Sequence, residues 1–89
     1  MTVHLIISGR VQGVGFRQYL RHKARKLGVT GWVTNTKNGT VEAHFQGEKD
    51  PVDQMVRIAK RGPFTAQVEA VKVTELTNAD PRETFEIIK

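Results

Sequence analysis

Cysteine is absent from the 89-residue sequence. Disulfides, thiolate nucleophiles and cysteine-type zinc sites are therefore excluded, and the absence fits a reducing compartment. Long apolar runs are missing as well. No stretch approaches the ~18 apolar residues that a membrane span needs. The opening Met1-Thr2-Val3-His4-Leu5-Ile6-Ile7 has too short an apolar run, and no basic leader, for a secretion signal. The expectation is a cytoplasmic protein with no membrane partner. Acidic residues are outnumbered, 9 against 14 Lys plus Arg, giving a formal net charge of +5. An excess of this sign attracts anions of every kind, from nucleic acid and anionic lipid to a small phosphate. Arg21, Lys23, Arg25 and Lys26 read simply as a solvated helix face. The three histidines, His4, His22 and His44, match no zinc spacing, so neither a metal nor another cofactor is expected.

What is present is a regular alternation of strand and helix patterns in a chain sized for one domain, residues 1–89. Residues 2–9 alternate as a strand, Val3, Leu5 and Ile7 on one face and His4, Ile6 and Ser8 on the other. Phe16, Leu20, Ala24 and Leu27 recur at helical spacing, predicting a helix over 17–27 that ends at Gly28. Residues 30–36 read as a second strand with Val33 and Asn35 on one face. Asn38-Gly39 then signals a hairpin, since both residue types tolerate positive φ. Residues 40–46 return as a third strand with Val41, Ala43 and Phe45 inward. A second helix is expected with Asp50 as its cap and Pro51 as its first residue. Its stripe is Val52, Met55, Val56 and Ala59, and Gly62-Pro63 stops it. The fourth strand, 65–76, slips in phase between Ala66/Val68 and Val71/Val73, which implies a bulge or a stretch buried on both faces. Residues 84–88 supply a short fifth strand. The order β-α-β-β-α-β predicts an α+β, ferredoxin-like split βαβ sandwich: an antiparallel sheet of four to five strands backed by two helices. In that layout the first two long strands run the same way, so the loop at 9–15 and Asn35 should meet at one edge of the sheet.

That loop is the most informative segment. Gly9-Arg10-Val11-Gln12-Gly13-Val14-Gly15-Phe16-Arg17 places three glycines in seven residues between a strand and a helix. Such a segment can turn its N–H groups into a concave nest that binds phosphate at a helix N-terminus, and Arg17 can fork two phosphate oxygens. Gly-Lys-Ser/Thr is absent, so this is no nucleotide P-loop, and the dinucleotide glycine fingerprint fails too. The spacing by itself also fits a glycine-rich turn that binds nothing.

The same nine residues resemble a signature of the acylphosphatase family. Gly31-Trp32-Val33-Thr34-Asn35, followed by Asn38-Gly39-Thr40-Val41-Glu42, is similar to that family's second signature. The resemblance spans nearly the whole chain, the second helix with Met55, Ile58 and Ala59 being the part least like it. It implies a ferredoxin-like fold and hydrolysis of the carboxyl–phosphate bond of acyl phosphates, with inorganic phosphate as product. By the same resemblance, Arg17 and the backbone N–H groups of Val11, Gln12, Gly13, Val14, Gly15 and Phe16 bind the phosphoryl group. Asn35 holds the attacking water. A monomer with a small-molecule substrate and no nucleic-acid partner is expected.

The rival class is a nucleic-acid module, because RNA-recognition domains share this topology and stack bases on aromatics of their central strands. Here the equivalent outward positions are His4, Ile6, Glu42 and His44, a poor stacking surface in which Glu42 repels phosphate. Trp32 reads as packing on that face. Asn38-Gly39-Thr40 matches a glycosylation sequon but reads better as a turn. A non-catalytic domain keeping the fold is the third possibility, against which stands the presence of both Arg17 and Asn35.

Overall fold

Alternation in the first strand sends Val3, Leu5 and Ile7 to one side, where each is at most 2% exposed. The computed structural model describes residues 1–88. The elements are β1 (Thr2–Arg10), α1 (Phe16–Leu27), β2 (Thr30–Asn35), β3 (Val41–Gln46), α2 (Lys49–Arg61), β4 (Gln67–Leu76) and β5 (Phe85–Ile87). The strands lie in the order β4-β1-β3-β2-β5. One core joins the inward residues of β1 and of β2 and β3 (Val33, Val41, Ala43, Phe45) to Phe16, Leu20 and Ala24 of α1 and Val52, Met55 and Ala59 of α2. Full burial of a side chain such as Leu5 or Phe45 stabilises the fold by roughly 1.5–3 kcal/mol. Among the described residues, the opposite face of the sheet carries no helix.

The sheet departs from the antiparallel arrangement expected of it. β3 pairs antiparallel with both β1 and β2, but β5 pairs parallel with β2 through Gly31↔Phe85, Trp32↔Glu86 and Val33↔Ile87. The route of the chain explains this. β4 runs antiparallel to β1, so the chain leaves β4 at the end of the sheet opposite the 11–15 loop. Residues 77–84 cross beneath that end and enter the far edge in the direction of β2. Gln46 holds the crossing: its Nε2 donates to Asp80 O at 2.7 Å, and its Oε1 accepts from the Arg82 N–H at 2.9 Å. Gln46 is thus buried with both ends of its amide satisfied.

Other boundaries moved for local reasons. α2 begins at Lys49 with Glu48 as an extended cap, and no side chain caps it. The Val52 N–H reaches Glu48 O at 3.1 Å, so Asp50 and Pro51 lie inside the first turn. Proline is tolerated there because first-turn N–H groups lack helical partners. The hairpin does not use positive φ at Asn38. Only Gly39 does, at 92°, and the Thr36 N–H donates to Thr40 O across a three-residue turn. The phase slip in β4 is a bulge. Ser8 pairs with Ala70 and Gly9 with Val68, leaving Glu69 without an opposite residue. Val73 shares the face of Leu5, yet as an edge residue it stays 40% exposed. Arg25, read above as solvated, donates to Phe85 O at 3.1 Å and so ties α1 to β5.

Two glycines separate steric need from mere conformational preference. Gly31 has φ 134°, and a Cβ there would sit 2.0 Å from His44 O. Gly28 has φ 72° with nothing within 4 Å of its added Cβ, and its N–H caps α1 on Ala24 O. Gly31→Ala is expected to cost at least about 3 kcal/mol in urea unfolding, Gly28→Ala only about 1–2 kcal/mol. Equal losses would contradict the steric account.

Candidate active site

β1 and β2 point the same way because each is antiparallel to β3, which lies between them. The loop leaving β1 and the hairpin leaving β2 therefore share one end of the sheet, as expected from the topology. Gly9, with φ 122°, sits near the end of β1 where that strand runs close against β4 at its bulge. A Cβ there would lie 2.2 Å from Gln67 O, so only glycine fits. Gly13 and Gly15 adopt φ 73° and 79°, and Gly15 is the left-handed cap of α1. No side chain caps this helix. Among the described residues, the N–H groups of Gln12, Gly13, Val14, Gly15 and Phe16 donate to no backbone or side-chain acceptor. The result is a run of uncommitted donors at a helix N-terminus, where the dipole also favours an anion.

Arg17 follows at the first turn of α1 and is half-buried. Its guanidinium makes no ion pair among the described residues. An arginine that is placed by a helix yet paired with no carboxylate keeps its fork of donors for a ligand. Asn35 ends β2 on the helix-facing side, in phase with the buried Val33. Its Oδ1 is buried and accepts no hydrogen bond among the described residues, a state that costs about 1–3 kcal/mol when nothing fills it.

Sequence reasoning assigned Gln12 only a backbone role and overlooked what braces the loop. Gln12 Nε2 donates to Thr36 O at 2.8 Å and Thr40 O at 2.9 Å, bringing the loop against the hairpin that carries Asn35. On the other side, Thr65 Oγ1 donates to Val14 O at 2.8 Å. The hairpin is itself stiffened by Asn38, whose Oδ1 accepts from the hydroxyls of Thr36 and Thr40. The Gln12 and Thr65 bonds join segments far apart in the chain, and no spacing rule announces them.

The family model described as Acylphosphatase matches residues 3–87. The chain belongs to the acylphosphatase family. An acylphosphatase of Alcanivorax borkumensis is 46% identical over 89 residues, covering 97% of both proteins. Among solved structures, the acylphosphatase from Bacillus subtilis matches with a TM-score of 0.94 at 33% identity, over 99% of this chain and 98% of that one. The acylphosphatase from Coxiella burnetii gives 0.91 at 37% identity, over 98% and 90% respectively. The acylphosphatase fold thus covers the loop, the hairpin, both helices and all five strands.

The uncovered face of this acylphosphatase fold carries the expected His4, Ile6, Glu42 and His44, and it is already internally paired. Trp32 stacks on His44 with centroids 4.3 Å apart, and His4 meets His44 edge-on at 5.0 Å. His4 Nε2 lies 2.7 Å from Glu42 Oε2. Burial holds the His44 imidazole below the ordinary histidine value, His4 and Arg82 push the same way, and Glu42 opposes them. The folded chain therefore prefers neutral His44, while the unfolded chain takes up the proton near pH 6.5. This contribution is present at neutral pH and is lost as the pH falls below about 6.5. Emission from Trp32, the sole tryptophan, should titrate with a midpoint below that value and lose the transition in His44→Gln. A midpoint at or above 6.5 would contradict the burial effect.

Proposed function

We propose that the chain hydrolyses acyl phosphates to a carboxylate and inorganic phosphate, with Arg17 and the loop binding the phosphoryl group and Asn35 orienting the attacking water. The observation that carries this reading is the row of uncommitted N–H donors at residues 12–16, set beside an unpaired Arg17. Backbone donors fixed in advance suit a phosphoryl group whose oxygens gain charge in the transition state, because they need no reorganisation when that charge develops.

Water attacks phosphorus, the bond from phosphorus to the acyl oxygen breaks, and the carboxylate departs with the bonding pair. A carboxylic acid has a pKa of about 4, so this leaving group needs no proton. The water's proton passes to a phosphoryl oxygen or to bulk water, and no protein base is required. That economy agrees with a site built from an amide, a guanidinium and peptide N–H groups. Asn35 is a poor base but a good acceptor, and a half-turn of its side-chain amide, whose oxygen nothing holds among the described residues, presents that oxygen to a water proton. The reading takes residues 1–89 as one domain acting as a monomer in the cytoplasm. It assigns no nucleic-acid partner, because Trp32 is engaged by His44 and the open face carries Glu42.

Benzoyl phosphate hydrolysis, measured with chelator present, tests the proposal. Turnover is expected to persist in chelator, and its disappearance would require a metal the reading does not include. Arg17→Ala should lose at least roughly 10²–10³ in rate together with phosphate inhibition. Inhibition surviving intact would remove Arg17 from phosphoryl binding. Asn35→Ala should lower kcat while leaving phosphate affinity largely unchanged, and the reverse pattern would refute a water-holding role.

A further inference from the structure

The backbone of Gln12 belongs to the loop, but its side chain has separate work. An amide NH2 carries two hydrogens, and both are used: one reaches Thr36 O at 2.8 Å, the other Thr40 O at 2.9 Å. These carbonyls belong to the two residues that close the hairpin, where the Thr36 N–H donates to Thr40 O at 2.9 Å. Thr36 follows Asn35 directly. The loop and Asn35 have no backbone ladder between them, since β1 and β2 are separated by β3. The two halves of the site are projections from strands that do not touch each other.

We infer that the Gln12 side chain is a positioning residue, a strut that sets the separation between a phosphoryl group held in the loop and the water oriented by Asn35. This inference rests on the function proposed above. It acts on geometry alone: the nest keeps its N–H donors without the strut, and Asn35 keeps its amide, but their spacing is no longer fixed. In-line attack tolerates little error, a misplacement of about 1 Å being enough to cost ~10²-fold in rate. The half-buried position of Gln12 makes the two bonds stronger than they would be in open water.

Gln12→Met keeps the length of the side chain and removes both donors. Its kcat is expected to fall roughly 10–100-fold, while KM and inhibition by inorganic phosphate stay within about twofold. Unchanged kcat overturns the inference. So does parallel loss of turnover and phosphate affinity, which would make Gln12 a support of the nest itself. Gln12→Glu guards against a general packing defect in the methionine variant. Its carboxylate meets two carbonyls without a proton to offer, and protonation restores one donor. Its activity relative to the unsubstituted protein should therefore rise on acidification, and a flat ratio overturns the strut. Exchange of the Gln12 side-chain amide protons, followed by NMR in the free protein, should be slow. Exchange at the rate of open solvent defeats the inference whatever the turnover. Slow exchange in a protein that hydrolyses no acyl phosphate overturns the functional reading instead.

Discussion

Everything at the mouth of this fold depends on holding peptide N–H groups in a turned-out conformation without letting them find partners of their own. Backbone donors ordinarily satisfy one another, so a free row of them survives only inside a frame. Gly13 and Gly15 supply the left-handed turns, and Gly9 lets β1 press against the β4 backbone. Thr65 then pins the loop to the segment before β4, while the Gln12 side chain ties it to the hairpin and sets its distance from Asn35. The packed core beneath, with Val11 and Phe16 at most 1% exposed, anchors both ends of the loop. The donors stay free because the glycine turns, the Thr65 bond and the packed core hold the loop in this shape.

Much of the frame was legible in the sequence because it follows period-two and helical spacing. Val3, Leu5 and Ile7 face inward as their alternation demands, and so do Val41, Ala43 and Phe45. The phase slip in the fourth strand marked a true bulge at Glu69. The common direction of β1 and β2 placed the loop and Asn35 at one end of the sheet. The direction of β5 was not legible, since three residues carry no signal of orientation and the crossing at 77–84 decides it. The start of α2 was misplaced because Asp50 and Pro51 suit a first turn as well as a cap. The second role of Gln12 was hidden because its partners lie 24 and 28 residues away.

The chemistry of the site explains why so few side chains suffice. An activated anhydride with a weakly basic leaving group asks for charge stabilisation and orientation, not for a tuned acid or base. Peptide groups, a guanidinium and an amide keep one protonation state across the working range, so the site itself needs no titrating partner. The titratable cluster of His4, His44 and Glu42 sits on the open face of the sheet, away from the phosphate loop.

The two edges of the sheet have a bearing on how the chain behaves in a crowd. β4 carries its bulge at Glu69 and the exposed charges Lys72 and Glu75, features that discourage another strand from adding there. The other edge is guarded only by β5, three residues long and fastened by the Arg25 bond to Phe85 O and by the Gly31 and Ile88 N–H bonds to Thr84 O and Val33 O. If β5 peels away, the flank of β2 lies open as a six-residue template. Aggregation of the native chain would thus begin with detachment of its shortest strand, far from the mouth where the chemistry is done.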